Sequence, residues 1–76
     1  MTVKAYVLIE ANIGKTKEVV EAIRMSRKGL SVDIVTGPYD AIAIIQAETL
    51  NEVEDLVVSM LHSVTGVSRT ITCVAV

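Results

Sequence analysis

The stretch Thr36-Gly37-Pro38-Tyr39-Asp40 lies at the middle of the chain and contains its only proline and one of its two tyrosines. Runs of apolar and β-branched residues precede it at 31–35 and follow it at 41–47. Gly37 permits a positive φ, and Pro38 fixes its own φ near the value that a turn requires. The stretch therefore predicts a hairpin that joins two strands and divides the chain into two halves of similar design.

Outward from this hairpin, each half has the pattern of a strand, a helix and a strand. The predicted strands are Val3–Glu10, Leu30–Thr36, Ala41–Ala47 and Ser68–Val76. The predicted helices run from Lys15 to about Lys28, with a stop at Gly29, and from the capping-box sequence Thr49-Leu50-Asn51-Glu52 to a break at Thr65-Gly66. Strand two alternates and is expected at an edge, whereas strand three is expected to be central. The order βαββαβ predicts an α+β, ferredoxin-like fold, in which a four-stranded antiparallel sheet carries both helices on one face.

The chain is rich in apolar residues for its size, with 76 residues and 51% hydrophobic content. A domain this small has too much surface to bury so many apolar groups by itself. Two helices cover one face of the predicted sheet, whereas strands one, three and four are apolar on both faces. We expect a second copy of the sheet to cover the open face, in an obligate homodimer of the dimeric α/β-barrel type.

Charge and composition exclude several classes of partner. The net charge of −2 and the absence of phenylalanine and tryptophan argue against direct nucleic-acid binding, which favours basic surfaces and stacking aromatics. No apolar run reaches the roughly 18 residues that span a bilayer. A signal-peptide core is also missing, so we expect a cytoplasmic protein without membrane contact.

The chemical motifs that often accompany this fold are missing from the sequence. The first loop, Ala11-Asn12-Ile13-Gly14, lacks the Cys-x-x-Cys of metal-transfer domains. Gly14-Lys15-Thr16 matches the end of a phosphate-binding loop, but Ile9 stands where the motif requires a glycine. His62 has no nucleophile or second metal ligand at a suitable spacing. We therefore predict no catalytic residues, no metal and no cofactor.

The polar residues of the hairpin and of the last strand are the candidates for ligand binding. Asp40 either accepts hydrogen bonds from the turn's own backbone or binds an ammonium group, while the turn amides bind a carboxylate. Thr70 and Thr72 share one face of strand four, where they either add hydroxyls to such a site or fill the strand as β-branched residues. An acid beside exposed amides and hydroxyls would suit a free amino acid.

Two stretches of the sequence resemble the signatures of a known family. Asp33 to Ala41 is similar to the Gly-x-Tyr/Phe-Asp signature of the leucine-responsive regulatory protein/AsnC (Lrp/AsnC) family, in its C-terminal effector domain, the RAM domain. The ending, His62 to Thr72, is similar to the Gly-Val-x-x-Thr-x-Thr close of the same domain. The opening Ala5 to Ile9 and Gly14 also fit, so the resemblance covers essentially the whole chain.

The resemblance implies a fold and a function. The family's fold is βαββαβ; its sheets pair into dimers, and the dimers assemble into rings, commonly octamers. Amino-acid effectors bind between dimers, so Gly37, Tyr39 and Asp40 would line the effector pocket, with Thr70 and Thr72 close by. The implied function is a non-enzymatic amino-acid sensor in transcription regulation.

Two departures from the family pattern qualify this expectation. Full-length members begin with a DNA-binding helix-turn-helix, for which residues 1–76 have no room, so we expect a stand-alone effector domain. Such a domain would bind an amino acid or assemble with full-length regulators of the family. The exit of helix one, Met25 to Leu30, also lacks the family's Pro-Gly-Val-like turn. Two alternatives stay open, a structural assembly module without a ligand and a small dimeric α/β-barrel enzyme.

Overall fold

The fold was analysed in a computed structural model, which describes residues 2–26 and 31–76. The elements, in chain order, are β1 (Val3–Ala11), α1 (Thr16–Ser26), β2 (Ser31–Ile34), β3 (Ala41–Ala47), α2 (Leu50–Ser63) and β4 (Val67–Val74). The βαββαβ order and the ferredoxin-like fold are confirmed. No helix in the described ranges is long and apolar enough to cross a bilayer.

The four strands form one antiparallel sheet in the order β2-β3-β1-β4. The central position of β3 and the edge position of β2 are as predicted. β2 ends two residues earlier than predicted, because the pairing with β3 ends at Ile34 and Ala41, and Val35 and Thr36 belong to the hairpin loop; its predicted start at Leu30 lies outside the described residues. β4 begins at Val67, one residue earlier than predicted, and ends at Val74 instead of Val76. The predicted stop of helix one at Lys28 and Gly29 lies outside the described residues.

The hydrophobic core fills the space between the helices and one face of the sheet. On the sheet side, β1 and β3 contribute alternate residues, which include Val7, Ile9 and Ile45. The fully buried helix residues are Val19, Val20 and Ile23 of α1, and Val53 and Met60 of α2. Full burial of each such side chain contributes about 1.5–3 kcal/mol to folding. Alternation along the strands therefore decides which face carries the helices.

The start of α2 is fixed by the predicted capping box. Thr49 is the N-cap, and its Oγ1 accepts a hydrogen bond of 3.2 Å from the backbone N–H of Glu52. The Glu52 carboxylate accepts a return bond of 3.2 Å from the N–H of Glu48, one residue before the cap. Two backbone donors at the helix start are thereby satisfied.

The other face of the sheet is open in the single chain. Because residues that face each other across antiparallel strands point to the same side, the register defines this face. Its apolar residues are Tyr6, Leu8, Ile42, Ile44, Ile71 and Cys73. Tyr6 is 36% exposed and Ile71 is 39% exposed, which is high for large apolar side chains in strands. We refer to these six residues as the open face.

Candidate functional site

The hairpin loop between β2 and β3 spans residues 35–40. Gly37 adopts a φ of +135°, as its place in the turn predicts. Nothing lies within 4 Å of the position that a Cβ would take there, so the glycine is required by the backbone conformation and not by crowding. The N–H of Val35 donates to the carbonyl of Asp40 at 2.9 Å and closes the loop.

Asp40 attaches this loop to the end of β1 through both its backbone and its side chain. Its N–H donates to the carbonyl of Ile9 at 2.9 Å. Its Oδ2 accepts a hydrogen bond of 2.8 Å from the N–H of Ala11, at a partly buried position beside the irregularity in the ladder between Glu10 and Ala11. The carboxylate therefore bonds to the neighbouring strand and not to the turn's own backbone.

Tyr39 lies beside an ion pair that joins β1 and β4. The guanidinium carbon of Arg69 is 5.9 Å from the centre of the Tyr39 ring, within the range of a cation–π contact. Arg69 Nη2 is 3.5 Å from Glu10 Oε2, and Ser68 Oγ donates to Glu10 Oε1 at 3.0 Å. Tyr39, Asp40, Glu10 and Arg69 thus meet at one end of the sheet, and we call these four residues the hairpin cluster.

Thr70 and Thr72 lie on the opposite side of the sheet from the ion pair. Thr70 faces Ile9 and Thr72 faces Val7 across the ladder, and both partners belong to the core. Thr72 lines a groove of about 470 Å³ between β4 and α2, with Val53 and Val57 among its neighbours. In a single chain the predicted site residues therefore form two groups, with Gly37, Tyr39 and Asp40 at the hairpin and the two threonines on the helix side.

Arg69, Glu10 and Ser68 were not predicted as site residues. Two features of the sequence pointed to them. Arg69 directly precedes Thr70 in the closing motif, and the oppositely charged Glu10 and Arg69 lie at the end of strand one and near the start of strand four. The pairing of Glu10 with Arg69 depends on β1 and β4 being neighbours in register, which no local pattern reveals.

The chemistry of the hairpin cluster is that of charge recognition. Carboxylates form charge-assisted hydrogen bonds with ammonium groups, and a guanidinium binds a carboxylate with two parallel bonds. The side chains of Arg69 and Glu10 are 61% and 41% exposed, so an incoming molecule can reach both. Within residues 2–26 and 31–76, no three histidine, cysteine or acidic side chains are grouped closely enough to hold a metal ion.

Comparison with protein families identifies the domain. The family model described as Lrp/AsnC ligand binding domain matches residues 4–76. The chain belongs to this family. Lrp/AsnC proteins are transcriptional regulators, and the resemblance of the hairpin and closing motifs to the RAM domain is confirmed. A comparison with curated proteins finds no match.

Several solved structures share the Lrp/AsnC fold of the chain. TTHA0845 from Thermus thermophilus is 34% identical, with a TM-score of 0.85 over 97% of this chain and 92% of that one. The transcriptional regulator NMB0573 from Neisseria meningitidis, solved as a complex with L-Met, is 17% identical with a TM-score of 0.80 over 97% and 49% of the two chains. AsnC from E. coli is 10% identical with a TM-score of 0.84 over 97% and 50%. The likeness to these two regulators shows the fold alone, and this chain spans about half of their length.

Proposed function

We propose that this Lrp/AsnC domain is a non-enzymatic, amino-acid-sensing regulatory domain. The observation that carries the proposal is the hairpin cluster, which presents carboxylates and a guanidinium side by side at an exposed end of the sheet. A free amino acid carries one ammonium and one carboxylate, and the cluster holds groups that complement both. The presence of L-Met in the Neisseria regulator, which has the same fold, supports an amino acid as the class of effector.

Asp40 is the group that we assign to the ammonium of the effector. Its contact with Ala11 involves Oδ2, and a carboxylate has two oxygens that together accept about four hydrogen bonds. The contact with Ala11 also holds the carboxylate in one orientation, which lowers the entropic cost of binding. Gly37 and Tyr39, in the same loop, complete this half of the site.

Assembly of several copies would bring Thr70 and Thr72 of one copy into the same pocket as the hairpin residues of another. Thr70 and Thr72 face the helix side of the sheet, whereas the Arg69 side chain that reaches Tyr39 lies on the other side. A pocket that contains both groups therefore combines residues from neighbouring copies. We assign the open face to a homodimer with the two sheets packed together, and the effector site to the contact between such dimers in a ring, an octamer in the form common to the family.

The proposal extends to partners and location. The domain assembles with itself or with full-length regulators of the family, acts in the cytoplasm, and contacts neither nucleic acid nor membrane directly. Its net charge of −2 and its uncovered apolar face support contact with protein subunits over contact with nucleic acid.

The test is a thermal-shift panel with each of the twenty L-amino acids at millimolar concentration, followed by calorimetry on those that respond. A ligand at 100 times its Kd stabilises the folded state by about 2.7 kcal/mol. We expect a shift with one or a few amino acids. Absence of a shift with all twenty would contradict the sensor proposal and favour an assembly module without a ligand.

The variant that tests Asp40 is Asp40→Asn, whose side-chain oxygen can still accept the hydrogen bond from Ala11 N–H but which carries no charge. This variant should fold like the wild type and lose the response to the amino acid. An undiminished response would remove Asp40 from the proposed site while leaving the sensor function in place.

A further inference from the structure

Arg69 is the cation of the hairpin cluster. It is the residue of β4 that faces Glu10 of β1, so its side chain lies on the open side of the sheet, opposite to that of Thr70. The guanidinium lies 5.9 Å from the ring centre of Tyr39, in the same loop as Asp40. Arg69 is therefore the positively charged group adjacent to the carboxylate that we assign to the effector's ammonium.

The surroundings of Arg69 hold it in place and leave it accessible. The Tyr39 ring and Oε2 of Glu10 both contact the guanidinium. The other carboxylate oxygen of Glu10, Oε1, accepts a hydrogen bond from Ser68 Oγ. The contact with Glu10 is an ion pair of 3.5 Å, longer than the 2.7–2.9 Å of a tight charge-assisted bond. In the single chain the Arg69 side chain is 61% exposed and keeps donors that face solvent, at the hairpin end of the open side and next to the last apolar pair of the open face, Leu8 and Ile71.

The charge balance of the hairpin cluster favours Arg69 as the group that binds a carboxylate. The hairpin cluster holds two carboxylates, Glu10 and Asp40, and one guanidinium. Without Arg69 the charged groups left in the cluster are the carboxylates of Glu10 and Asp40, which would repel the carboxylate of an amino acid and attract its ammonium. The guanidinium offsets this repulsion and offers the fork geometry that binds a carboxylate through two parallel bonds.

We propose that Arg69 is the specificity-determining residue that binds the α-carboxylate of the effector, with Tyr39 and Glu10 as positioning residues. This inference rests on the proposed amino-acid-sensing function and deepens it. It assigns the ligand class as zwitterions with a free carboxylate and disfavours amides, esters and simple amines. The backbone amides of the turn then play a secondary role in holding the carboxylate.

The experiment measures the affinity of each of the twenty L-amino acids and of its carboxamide, for the wild type and for Arg69→Gln, by calorimetry. The wild type should prefer the acid. In Arg69→Gln the acid should bind roughly 10- to 100-fold more weakly, the effect of losing a charge-assisted hydrogen bond. The carboxamide should bind equally well or better, so the preference should disappear or invert.

The control variant is Lys4→Gln, which removes the same charge at the other end of the open side. Lys4 makes the equivalent cation–π contact, with Nζ 5.2 Å from the Tyr6 ring, and its substitution should leave the preference for the acid unchanged. Arg69→Lys keeps the positive charge but lacks the planar guanidinium that forms two parallel bonds, so it should retain part of the preference for the acid over the carboxamide. These comparisons use ratios between two ligands, which a loss of folding alone does not alter.

The two proposals fail in different ways. If the wild type binds an amino acid and Arg69→Gln keeps the same acid-to-amide ratio, the role of Arg69 is overturned and the sensor function stands. If the wild type binds none of the twenty amino acids, the sensor function is overturned and the role of Arg69 falls with it.

Discussion

The carboxylate of Asp40 lies 2.8 Å from the backbone nitrogen of Ala11, in a contact between residues 29 positions apart in the chain. The N–H of Asp40 also donates to the carbonyl of Ile9, so one residue fixes the hairpin to the end of β1 twice. Asp40 is thus a structural residue of the fold as well as the proposed ligand for an ammonium. In the proposed role, a substitution at this position would change stability through the bond from Ala11 N–H to Oδ2 and effector binding through the charge of the carboxylate.

The first prediction tests the contribution of Asp40 to stability. Asp40→Ala should lower the free energy of unfolding by about 1–3 kcal/mol, because it leaves the partly buried Ala11 N–H without its acceptor. Asp40→Asn should retain most of the stability, since its side-chain oxygen can accept the same bond. Urea denaturation of both variants measures the difference. Equal stability of the alanine variant and the wild type would show that the bond contributes nothing.

The second prediction concerns the glycine before β4. Gly66 adopts a φ of +96°, and a Cβ there would lie 3.1 Å from the Cβ of Lys15 and 3.2 Å from Cγ2 of Val19. Gly66→Ala should therefore cost about 1–3 kcal/mol in backbone strain, with crowding against α1 in addition. Gly14, with a φ of +78° and nothing within 4 Å of the position that a Cβ would take, is the matched control. Gly14→Ala should destabilise less in the same urea titration, and the reverse order would refute the role of crowding.

The third prediction tests the cap of α2. Thr49→Ala removes the hydroxyl that accepts from Glu52 N–H and should cost about 0.5–2 kcal/mol. Thr49→Ser keeps the hydroxyl and should stay close to the wild type. Thermal and urea unfolding measure both variants. A serine variant as unstable as the alanine variant would locate the effect in the lost methyl group instead of the hydrogen bond.

The fourth prediction tests the assignment of the open face to a dimer. Ile71→Lys places a charge on that face and should yield a monomer in light scattering coupled to size-exclusion chromatography. Val58→Lys is the control, because Val58 is an exposed apolar residue, at 53%, on α2 beside the β4 groove. It should leave the dimer intact. Disruption by Val58→Lys alone would assign the interface to the helix side.

Much of the fold followed from local sequence patterns. The bounds of β3 were predicted as observed, because its apolar run lies between two acids, Asp40 and Glu48. The start of α2 was predicted from side-chain chemistry that acts over three residues, between Thr49 and Glu52. The end of β2 was placed two residues too late, since Val35 has the propensity of a strand residue and only pairing with β3 decides where the ladder ends.

The candidate site was predicted less completely than the fold. The hairpin loop around Gly37 and Asp40 was predicted because turn chemistry is local, whereas the role of these residues in a site stays a prediction. Arg69 and Glu10 were missed because their contact joins opposite ends of the chain through the pairing of β1 with β4. Thr70 and Thr72 were correctly placed on one face of β4, but the sequence did not reveal that this face turns towards the helices.

The threonines lie on the side of the sheet opposite to the hairpin cluster, and this placement has a thermodynamic consequence for the proposed pocket. The proposed pocket, built from both groups, would be complete only where two copies meet, and this would couple ligand binding to self-association. The coupling is reciprocal: the factor by which association raises the affinity for the ligand equals the factor by which the ligand raises the association constant. The apparent Kd would then fall as the protein is concentrated, and the amino acid would act as a cross-linker between copies.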